Sequence, residues 1–213
     1  MPRDLLQNEL FVCNHIGVSE QDEEDILNFS VRDEKGKGLV YYLQHDAVLD
    51  ENNGRMRTYI VRDNATSEMV GYFSLKAGLL SYNEHNVPII DEKTGEIIVN
   101  NETGEVMTRL EFDTLPGVEL ANFAINQSYI RKHPDMKGVG EIIYQRFIHR
   151  IVENAAETIG IKTLYVFALP YQALIARYEQ YGLERLDEGS ERKVHKRLKP
   201  SYDESCIFMF EML

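Results

Sequence analysis

The stretch that decides the fold runs from Glu119 to Leu183. It opens with the apolar segment ELANFAIN (Glu119–Asn126), passes through a polar loop ending DMKGVG (Asp135–Gly140), and later contains KTLYVFAL (Lys162–Leu169) and ARYEQYGL. This order predicts a strand, a glycine loop, a long helix and a second, buried strand. A strand–helix–strand crossover makes the two strands parallel, so the glycine loop should lie at the carboxyl end of the first strand.

The helix after the glycine loop is predicted by an apolar stripe. Apolar residues recur at every fourth position and two more widen the same face, as expected for an amphipathic helix. These residues are Ile143, Phe147, Ile151, Ala155 and Ile159, with Ile148 and Val152. Gly160 then stands where a glycine C-cap is expected.

Gly138 and Gly140 stand at the mouth of this helix. The first N–H groups of a helix have no partners within it and carry partial positive charge, and glycine lets an anion approach the backbone closely. Two glycines at a helix start also mark an ordinary tight turn, which is their commoner use. Both interpretations are open on this pattern alone.

Length and composition predict one domain spanning residues 1–213. The chain has 213 residues, 43% of them hydrophobic, and no linker rich in Pro, Gly or Ser divides it. No apolar run reaches the ~20 residues that span a bilayer, and the N-terminus lacks the apolar core of a signal peptide, so we expect a cytoplasmic protein. Cys13, Cys206 and the six histidines have no metal-ligand spacing, so no metal is expected.

The charge balance argues against nucleic acid as a partner. Lys and Arg number 23 against 35 Asp and Glu, a net charge of −12, whereas phosphate backbones are bound through clustered cations. The segment from Glu84 to Glu119 holds nine acidic residues and two basic ones. These carboxylates either protect an exposed edge strand or attract a cationic acceptor.

The remaining segments complete a mixed α/β pattern. Helices are predicted at about Glu20–Phe29 and Gly38–Val48, followed by a hairpin of RTYIVRD and EMVGYFSLKA. The near-copies DEKTGEIIV and NETGEVMTR predict an extra β-hairpin or meander near residues 81–113. A last strand, SCIFMFEML, ends the chain.

Taken together, these segments resemble the GNAT superfamily of acetyl-CoA-dependent N-acetyltransferases. The resemblance is carried by MVGYFSL, FAI, KGVG with its helix, ARYEQYGL and IFMFEML, over roughly Tyr59 to Leu213. It implies a single-domain GNAT-like α/β fold with a mixed, mostly antiparallel twisted sheet flanked by helices.

The resemblance also implies a site for acetyl-CoA. The family's phosphate loop, [RQ]-x-x-G-x-[GA], is matched by Asp135–Gly140, except that Asp135 replaces the basic or amide residue. The missing positive charge would come from Arg131, Lys132 or Lys137. A backbone N–H near Ala124 would face the thioester oxygen. The implied pantetheine contacts are Phe123, Ala124, Ile125 and Asn126, and the implied phosphate contacts are Lys137, Gly138, Val139, Gly140 and Glu141.

Two catalytic residues are implied by the same resemblance. Tyr178, four residues before Gly182, matches the tyrosine that commonly protonates the coenzyme A thiolate, and a phenol with a pKa near ~10 can do so. Glu119 is the expected general base, although an ordinary strand residue is an equal interpretation. Tyr171 stands where many family members have an asparagine that holds the pantetheine arm, a second departure.

The expected function is therefore transfer of an acetyl group from acetyl-CoA to a primary amine of a small cationic molecule or protein. A non-catalytic module that binds acetyl-CoA or a partner protein is the main alternative, and a toxin-like aminoacyl-tRNA acetyltransferase a lesser one. A homodimer is an open possibility. The basic run ERKVHKRLK (Glu191–Lys199) is either a solvated loop or strand end, or a site for the cofactor's 3′-phosphate or an acidic partner.

Overall fold

The computed structural model describes residues 6–198, 200 and 203–213, with the backbone alone at 82–83. Its sheet has seven strands in the order β1-β2-β3-β4-β5-β7-β6. The strands are β1 (Phe11–His15), β2 (Arg57–Asp63), β3 (Met69–Pro88), β4 (Thr108–Ile125), β5 (Thr163–Ala168), β6 (Glu184–Arg185) and β7 (Ile207–Met212). Among the described strands only β4 and β5 are parallel neighbours, so the predicted mixed, mostly antiparallel sheet and its crossover are confirmed.

Helices connect and cover these strands. They are α1 (Asp22–Leu27), α2 (Lys37–His45), α3 (Ala47–Asn52), α4 (Gln127–Lys132), α5 (Val139–Ile143), α6 (His149–Ile159), α7 (Gln172–Gln180) and α8 (Glu188–His195). A π-helical turn, Tyr144–Ile148, joins α5 and α6 into one continuous helix. The helix predicted over Gly38–Val48 is divided at Asp46 into α2 and α3.

The two faces of the sheet pack against different helices. On β5, Leu164 and Val166 belong to the main core with Ile143 and Phe147 of the glycine-loop helix. The residue between them, Tyr165, belongs to a core that includes Val194 of α8. A third core lies beneath α1 to α3. Because side chains alternate along a strand, α8 and the glycine-loop helix lie on opposite faces of the sheet.

The apolar stripe of the long helix is buried except at its end. Ile143, Phe147 and Ile151 are buried, but Ile159 is 72% exposed, so its assignment to the stripe is wrong. A spacing of four residues advances about 40° further than a full helical turn, so repeated steps rotate away from the core. Gly160 ends the helix in a left-handed conformation, as predicted.

Strands β3 and β4 continue past the sheet as a two-stranded arm that pairs as far as Pro88 and Thr108. At its tip, the two near-copies form six-residue turns, Asp91–Glu96 and Asn100–Glu105. In each turn the first side chain accepts two backbone N–H groups and the threonine accepts one. Gly95 and Gly104 have φ of 73° and 72°, which glycine adopts without strain.

Within the described ranges, no helix is long and apolar enough to cross a membrane. The same residues contain no group of three or more His, Cys, Asp or Glu side chains that could hold a metal ion.

Candidate active site

The site begins where the two parallel strands separate. β4 and β5 pair only from Gly117↔Thr163 to Glu119↔Tyr165, although β4 continues to Ile125 and β5 to Ala168. The pairing of β4 with β3 shifts near Ser74, which leaves Ala121 as an extra residue in β4. Such a β-bulge bends its strand and increases the local twist. The bent end of β4 therefore diverges from β5 and leaves a gap between the strands.

The backbone of β4 presents alternate residues to this gap. The N–H of Asn126 donates to the carbonyl of Val70 on β3, at 2.8 Å. In an antiparallel pair every second residue bonds the same neighbour, so Ala124 also faces β3, whereas Phe123 and Ile125 face the gap. The expected N–H near Ala124 is therefore not that of Ala124 itself, which faces β3. The N–H groups of Phe123 and Ile125 have the required direction.

An inner cavity of about 410 Å³ occupies the gap. Its walls come from the end of β4, the loop after β5, helix α7 and the segment before α2. The lining residues are Val31, Arg32, Asp33, Gly36, Leu39, Phe123, Ala124, Ile125, Gly140, Leu169, Tyr171, Ala173, Leu174, Arg177, Tyr178 and Tyr181. Most of these side chains are apolar or aromatic, so the cavity suits an aliphatic arm or an apolar acceptor group.

A glycine cavity of about 390 Å³ continues from the inner one. The two share Ile125, Gly140, Arg177 and Tyr181, and the second is lined also by Gly138, Val139 and Glu141. A Cβ on Gly140 would lie 3.3 Å from the Tyr181 hydroxyl, so glycine keeps this passage open. An outer cavity of about 560 Å³, lined by Lys137, Gly138, Glu141, Ile142, Gln145 and Arg146, extends the groove.

Gly138 shapes the start of the helix beside the groove. Its φ of 67° is left-handed, and it caps α5 without a side-chain hydrogen bond. The first N–H groups of this helix therefore have no capping side chain, which is the arrangement that accepts phosphate oxygens. The structure thus brings together the glycines and the strand residues that the sequence analysis selected.

The cations at the groove differ from those expected. Arg131 is exposed on α4 and lines none of these three cavities, and Lys132 is bound to Glu68 at 2.5 Å. Lys137 lines the outer cavity with Arg146. Arg177 lines both the inner and the glycine cavities. Arg177 is not among the residues that the sequence pattern predicts, although it directly precedes the catalytic tyrosine candidate.

Asp135, the departure from the family pattern, does not face the groove. It is exposed and lines none of the three cavities, whereas its neighbour Met136 lines the glycine cavity. Its carboxylate is therefore directed toward solvent, where water and salt screen it. The substitution does not by itself place a negative charge among the lining side chains.

The first five residues of the basic run, Glu191–His195, lie on α8, and residues 196–198 form the turn that follows it. Val194 anchors this helix in the core around Tyr165, on the sheet face opposite Gly138 and its helix. The interpretation of the run as a site for the cofactor's 3′-phosphate is therefore wrong. Lys199, its last residue, lies outside the described residues.

Tyr178 is buried on α7 and lines the inner cavity with Phe123 and Ala124. Burial raises the pKa of its hydroxyl above the ordinary value near 10, and Tyr181 adds to this rise while Arg177 opposes it. Its ring packs edge-on against Tyr181, with 6.0 Å between the centroids. A phenol held in this way is fully protonated at neutral pH and can donate a proton into the cavity.

Glu119 lies below the gap. It is 8% exposed and lines neither the inner nor the glycine cavity. Its carboxylate is 3.6 Å from the Lys76 ammonium and accepts a hydrogen bond from Tyr165, whose pKa is raised by burial and by this carboxylate. The hydroxyl of Tyr165 reaches this position because Gly78 has no Cβ, which would lie 2.0 Å away. Glu119 is thus held in a buried polar cluster at the edge of the site.

Two further residues have structural partners. The Asn126 side chain accepts the Ser128 N–H at 3.1 Å and donates to the Met69 carbonyl at 3.0 Å, so it caps α4 and ties it to β3. Tyr171 lines the inner cavity and donates to the Asp33 carboxylate at 3.3 Å. The ammonium of Lys35 lies 4.7 Å from the centre of the Tyr171 ring. Tyr171 therefore joins the α7 side of the cavity to the segment before α2.

No protein-family model and no curated protein matches this chain. Solved structures do match it. A tyrosine-to-phenylalanine mutant of KacT has 18% identity and a TM-score of 0.61, over 96% of this chain and 95% of that one. AtaTR bound with acetyl-CoA has 17% identity and a TM-score of 0.57, over 96% and 94%. AtaT complexed with acetyl-methionyl-tRNAfMet has 16% identity and a TM-score of 0.58, over 93% of each chain.

Likeness at these identities concerns the path of the chain and its packing. It extends over nearly the whole of this chain and nearly the whole of each solved structure. The predicted GNAT-like fold is thereby confirmed, and the chain shares it with KacT and AtaT.

Proposed function

We propose that this protein is an N-acetyltransferase that uses acetyl-CoA as its acetyl donor. The observation that carries the proposal is the gap between β4 and β5, which joins a glycine-rich helix start to a cavity containing Tyr178. A solved structure of the same fold, AtaTR, is bound with acetyl-CoA, which supports this use of the gap. When bound, acetyl-CoA supplies an activated acetyl thioester.

The residues of the groove fit such a donor from end to end. Phe123 and Ile125 direct backbone N–H and C=O groups into the gap, where an amide-containing arm can pair like an added strand. The amides of Val139, Gly140 and Glu141 would hold the pyrophosphate at the helix start. Arg177 beside them, with Lys137 and Arg146 further out, supplies the positive charge.

Tyr178 is the proposed general acid. The acceptor nitrogen forms a bond to the acetyl carbon, the carbon–sulfur bond breaks, and the Tyr178 hydroxyl donates its proton to the departing sulfur. The proton released by the amine passes through a water to Glu119, and a proton returned through solvent restores the phenol. A gap-facing N–H, from Phe123 or Ile125, donates to the carbonyl oxygen as it gains negative charge. Loss of a donor fixed in this way lowers the reaction rate by a factor of about 10² to 10³.

The acceptor that fits the inner cavity best carries an α-amino group beside an apolar side chain. Apart from Asp33, the lining contains no carboxylate to hold a small cation, and Arg32 at the same wall would repel one. An α-amino group has a pKa near ~8, against ~10.4 for lysine, so it needs less help from a base. Glu119, held outside the lining, remains the proposed base through an intervening water.

Among such acceptors, we favour an aminoacyl-tRNA. AtaT, of the same fold, was solved with acetyl-methionyl-tRNAfMet. The net charge of −12 is not an obstacle, because residues 84–113 of the arm hold eight acidic and two basic residues, half of the surplus negative charge. The cavity wall instead carries Arg32 and has Lys35 close by, two cations suited to a phosphate backbone.

Thermal unfolding with added ligands tests donor binding. Acetyl-CoA at about 100 times its Kd should stabilise the wild type by about 2.7 kcal/mol, whereas ATP should have a much smaller effect. Gly140→Val fills the passage between the inner and glycine cavities and should abolish the acetyl-CoA effect. Stabilisation that is equal in the wild type and the variant would overturn the assigned groove.

Release of coenzyme A thiol across acceptors tests the acceptor class and the non-catalytic alternative together. Methionyl-tRNA should give the fastest release, ahead of a peptide with an N-terminal methionine and of a polyamine. Faster release with the polyamine would favour a small cationic acceptor. Binding of acetyl-CoA without thiol release in the presence of any of the three acceptors would favour a non-catalytic module.

A further inference from the structure

The tip of the β3–β4 arm exposes apolar side chains that the chain itself does not cover. Ile90 is 57% exposed and Ile97 51%, and the two face each other across an isolated bridge. Val99 and Val106 form a second bridge and are exposed to a similar degree. A two-stranded ribbon is marginally stable in water, and contiguous exposed apolar groups mark interaction sites.

Unpaired carboxylates surround these apolar groups. Glu92, Glu96, Glu102 and Glu105 are exposed on the two turns, and none has an ion-pair partner among the described residues. An apolar centre with an acidic rim fits a surface that is both apolar and cationic.

The same chain carries a cationic surface of this kind on α8. Arg192, Lys193 and Lys196 are exposed there, again with no ion-pair partner in the part of the chain that the structure describes. A cavity of about 660 Å³ lies against this helix, lined by Glu188, Glu191, Arg192, His195 and Lys196. We call the three cations and this cavity the α8 surface.

The base of the arm packs beside its own α8, but no described residue of the tip forms an ion pair with the α8 cations. Arg197, just after α8, pairs with Glu84 at 2.7 Å, and its guanidinium lies 3.5 Å from the centre of the Phe112 ring. These contacts fix the base of the arm, while both the tip and the cations of α8 remain exposed. A second copy of the chain offers each surface the complement that its own copy does not.

From these contacts we propose that the tip of the arm docks on the α8 surface of a second copy. A two-fold arrangement would make the contact twice, with each arm reaching the other subunit. The four exposed glutamates of the tip and the three exposed cations of α8 favour this occupant by charge complementarity.

Sedimentation equilibrium of the full chain tests the proposal. The wild type should be dimeric, and its Kd should rise with salt because charges contribute. Val99→Glu combined with Val106→Glu should weaken dimerisation at least about 100-fold, since it removes the apolar centre and adds like charge. Val18→Glu, at a side chain that is 69% exposed outside the arm, should leave the Kd unchanged.

A charge exchange identifies the two surfaces as partners. Glu102→Lys with Glu105→Lys should weaken the dimer, as should Arg192→Glu with Lys193→Glu, and the four changes together should restore it at least about tenfold. All positions are exposed, so each variant should keep the wild-type far-ultraviolet circular dichroism. A monomeric wild type, a dimer unaffected by the tip variant, or α8 changes that alter only RNA binding would overturn the proposal.

Discussion

At the scale of single residues, the sequence predicts the site where local chemistry alone determines a role. Gly138 and Gly140 were selected because only glycine suits a left-handed helix cap and a close approach, and the structure has both features. Arg177 and the outward direction of Asp135 could not be predicted. They depend on how α7 and the loop before α5 are oriented in space, which no spacing along the chain encodes.

Tyr178→Phe isolates the proposed proton donor. The variant keeps the ring and its packing but removes the hydroxyl, so we expect kcat to fall by about 10² to 10⁴ while acetyl-CoA binding is retained. Tyr181→Phe, in the same cavity, should keep most of the turnover. Because burial raises the pKa of Tyr178, its phenol should stay protonated, and wild-type activity should show no loss from this group up to about pH 9. Equal losses in the two variants would contradict the assignment.

Gly138→Ala tests the backbone conformation of the phosphate loop. A Cβ there meets nothing closer than 3.8 Å, so the cost should come from the left-handed φ and amount to about 1–2 kcal/mol of unfolding free energy. Gly38→Ala is the matched control, since its φ is ordinary for a helix and its Cβ would point into open space. Urea unfolding should show a loss for the first variant and none for the second. Equal changes in unfolding free energy for the two variants would mean that the left-handed φ of Gly138 does not disfavour alanine.

At the scale of elements, the periodicity of apolar residues and the residue types found in turns predict most strands and helices. The hairpin of β2 and β3, the parallel crossover and the long helix are where the patterns place them. The bulge at Ala121 and the π-helical turn at Tyr144–Ile148 were not predicted. Both arise where a strand or helix must fit its neighbours, so they depend on tertiary packing and leave no simple local pattern.

The packing of α1 on the sheet depends on one buried ionic cluster. Arg62 on β2 donates to Asp22 at 2.6 Å and to Asp25 at 2.5 Å, and both Arg62 and Asp22 are buried. Arg62→Ala leaves carboxylates without their partner and should cost about 3–5 kcal/mol in urea unfolding. Lys37→Ala removes an exposed pair with Glu34 and should cost less than about 1 kcal/mol. A small loss for Arg62→Ala would show that the cluster does not hold α1.

The contact between α6 and β7 should make stability depend on pH. His149 donates to the Glu211 carboxylate at 3.0 Å, and this hydrogen bond raises the pKa of the histidine above its ordinary value of 6.5. A raised pKa in the folded state gives stabilisation that is complete below about pH 6.5 and is lost as pH rises through the folded value.

Urea unfolding of the wild type and His149→Gln at about pH 6 and about pH 8 measures this contribution. From the lower pH to the higher, the unfolding free energy of the wild type should fall by more than that of the variant. If the unfolding free energy changes with pH by the same amount in both proteins, the pH dependence comes from groups other than His149.

At the scale of the whole molecule, composition gives the net charge but not how that charge is distributed over the surface. A net charge of −12 argued against a nucleic-acid partner, yet half of it lies on the arm. The cavity wall carries Arg32 instead. Which face receives each charge depends on the topology, in which β3 and β4 extend beyond their neighbours. This distribution is compatible with the polyanionic acceptor that we propose.

The most direct test of the central claim is transfer of a labelled acetyl group from acetyl-CoA to methionyl-tRNA, followed in a single turnover with excess enzyme. The wild type should place the label on the α-amino group, and Tyr178→Phe should do so about 10² to 10⁴ times more slowly. Transfer at an equal rate by the variant, or no transfer to any amine by a wild type that binds acetyl-CoA, would contradict the account.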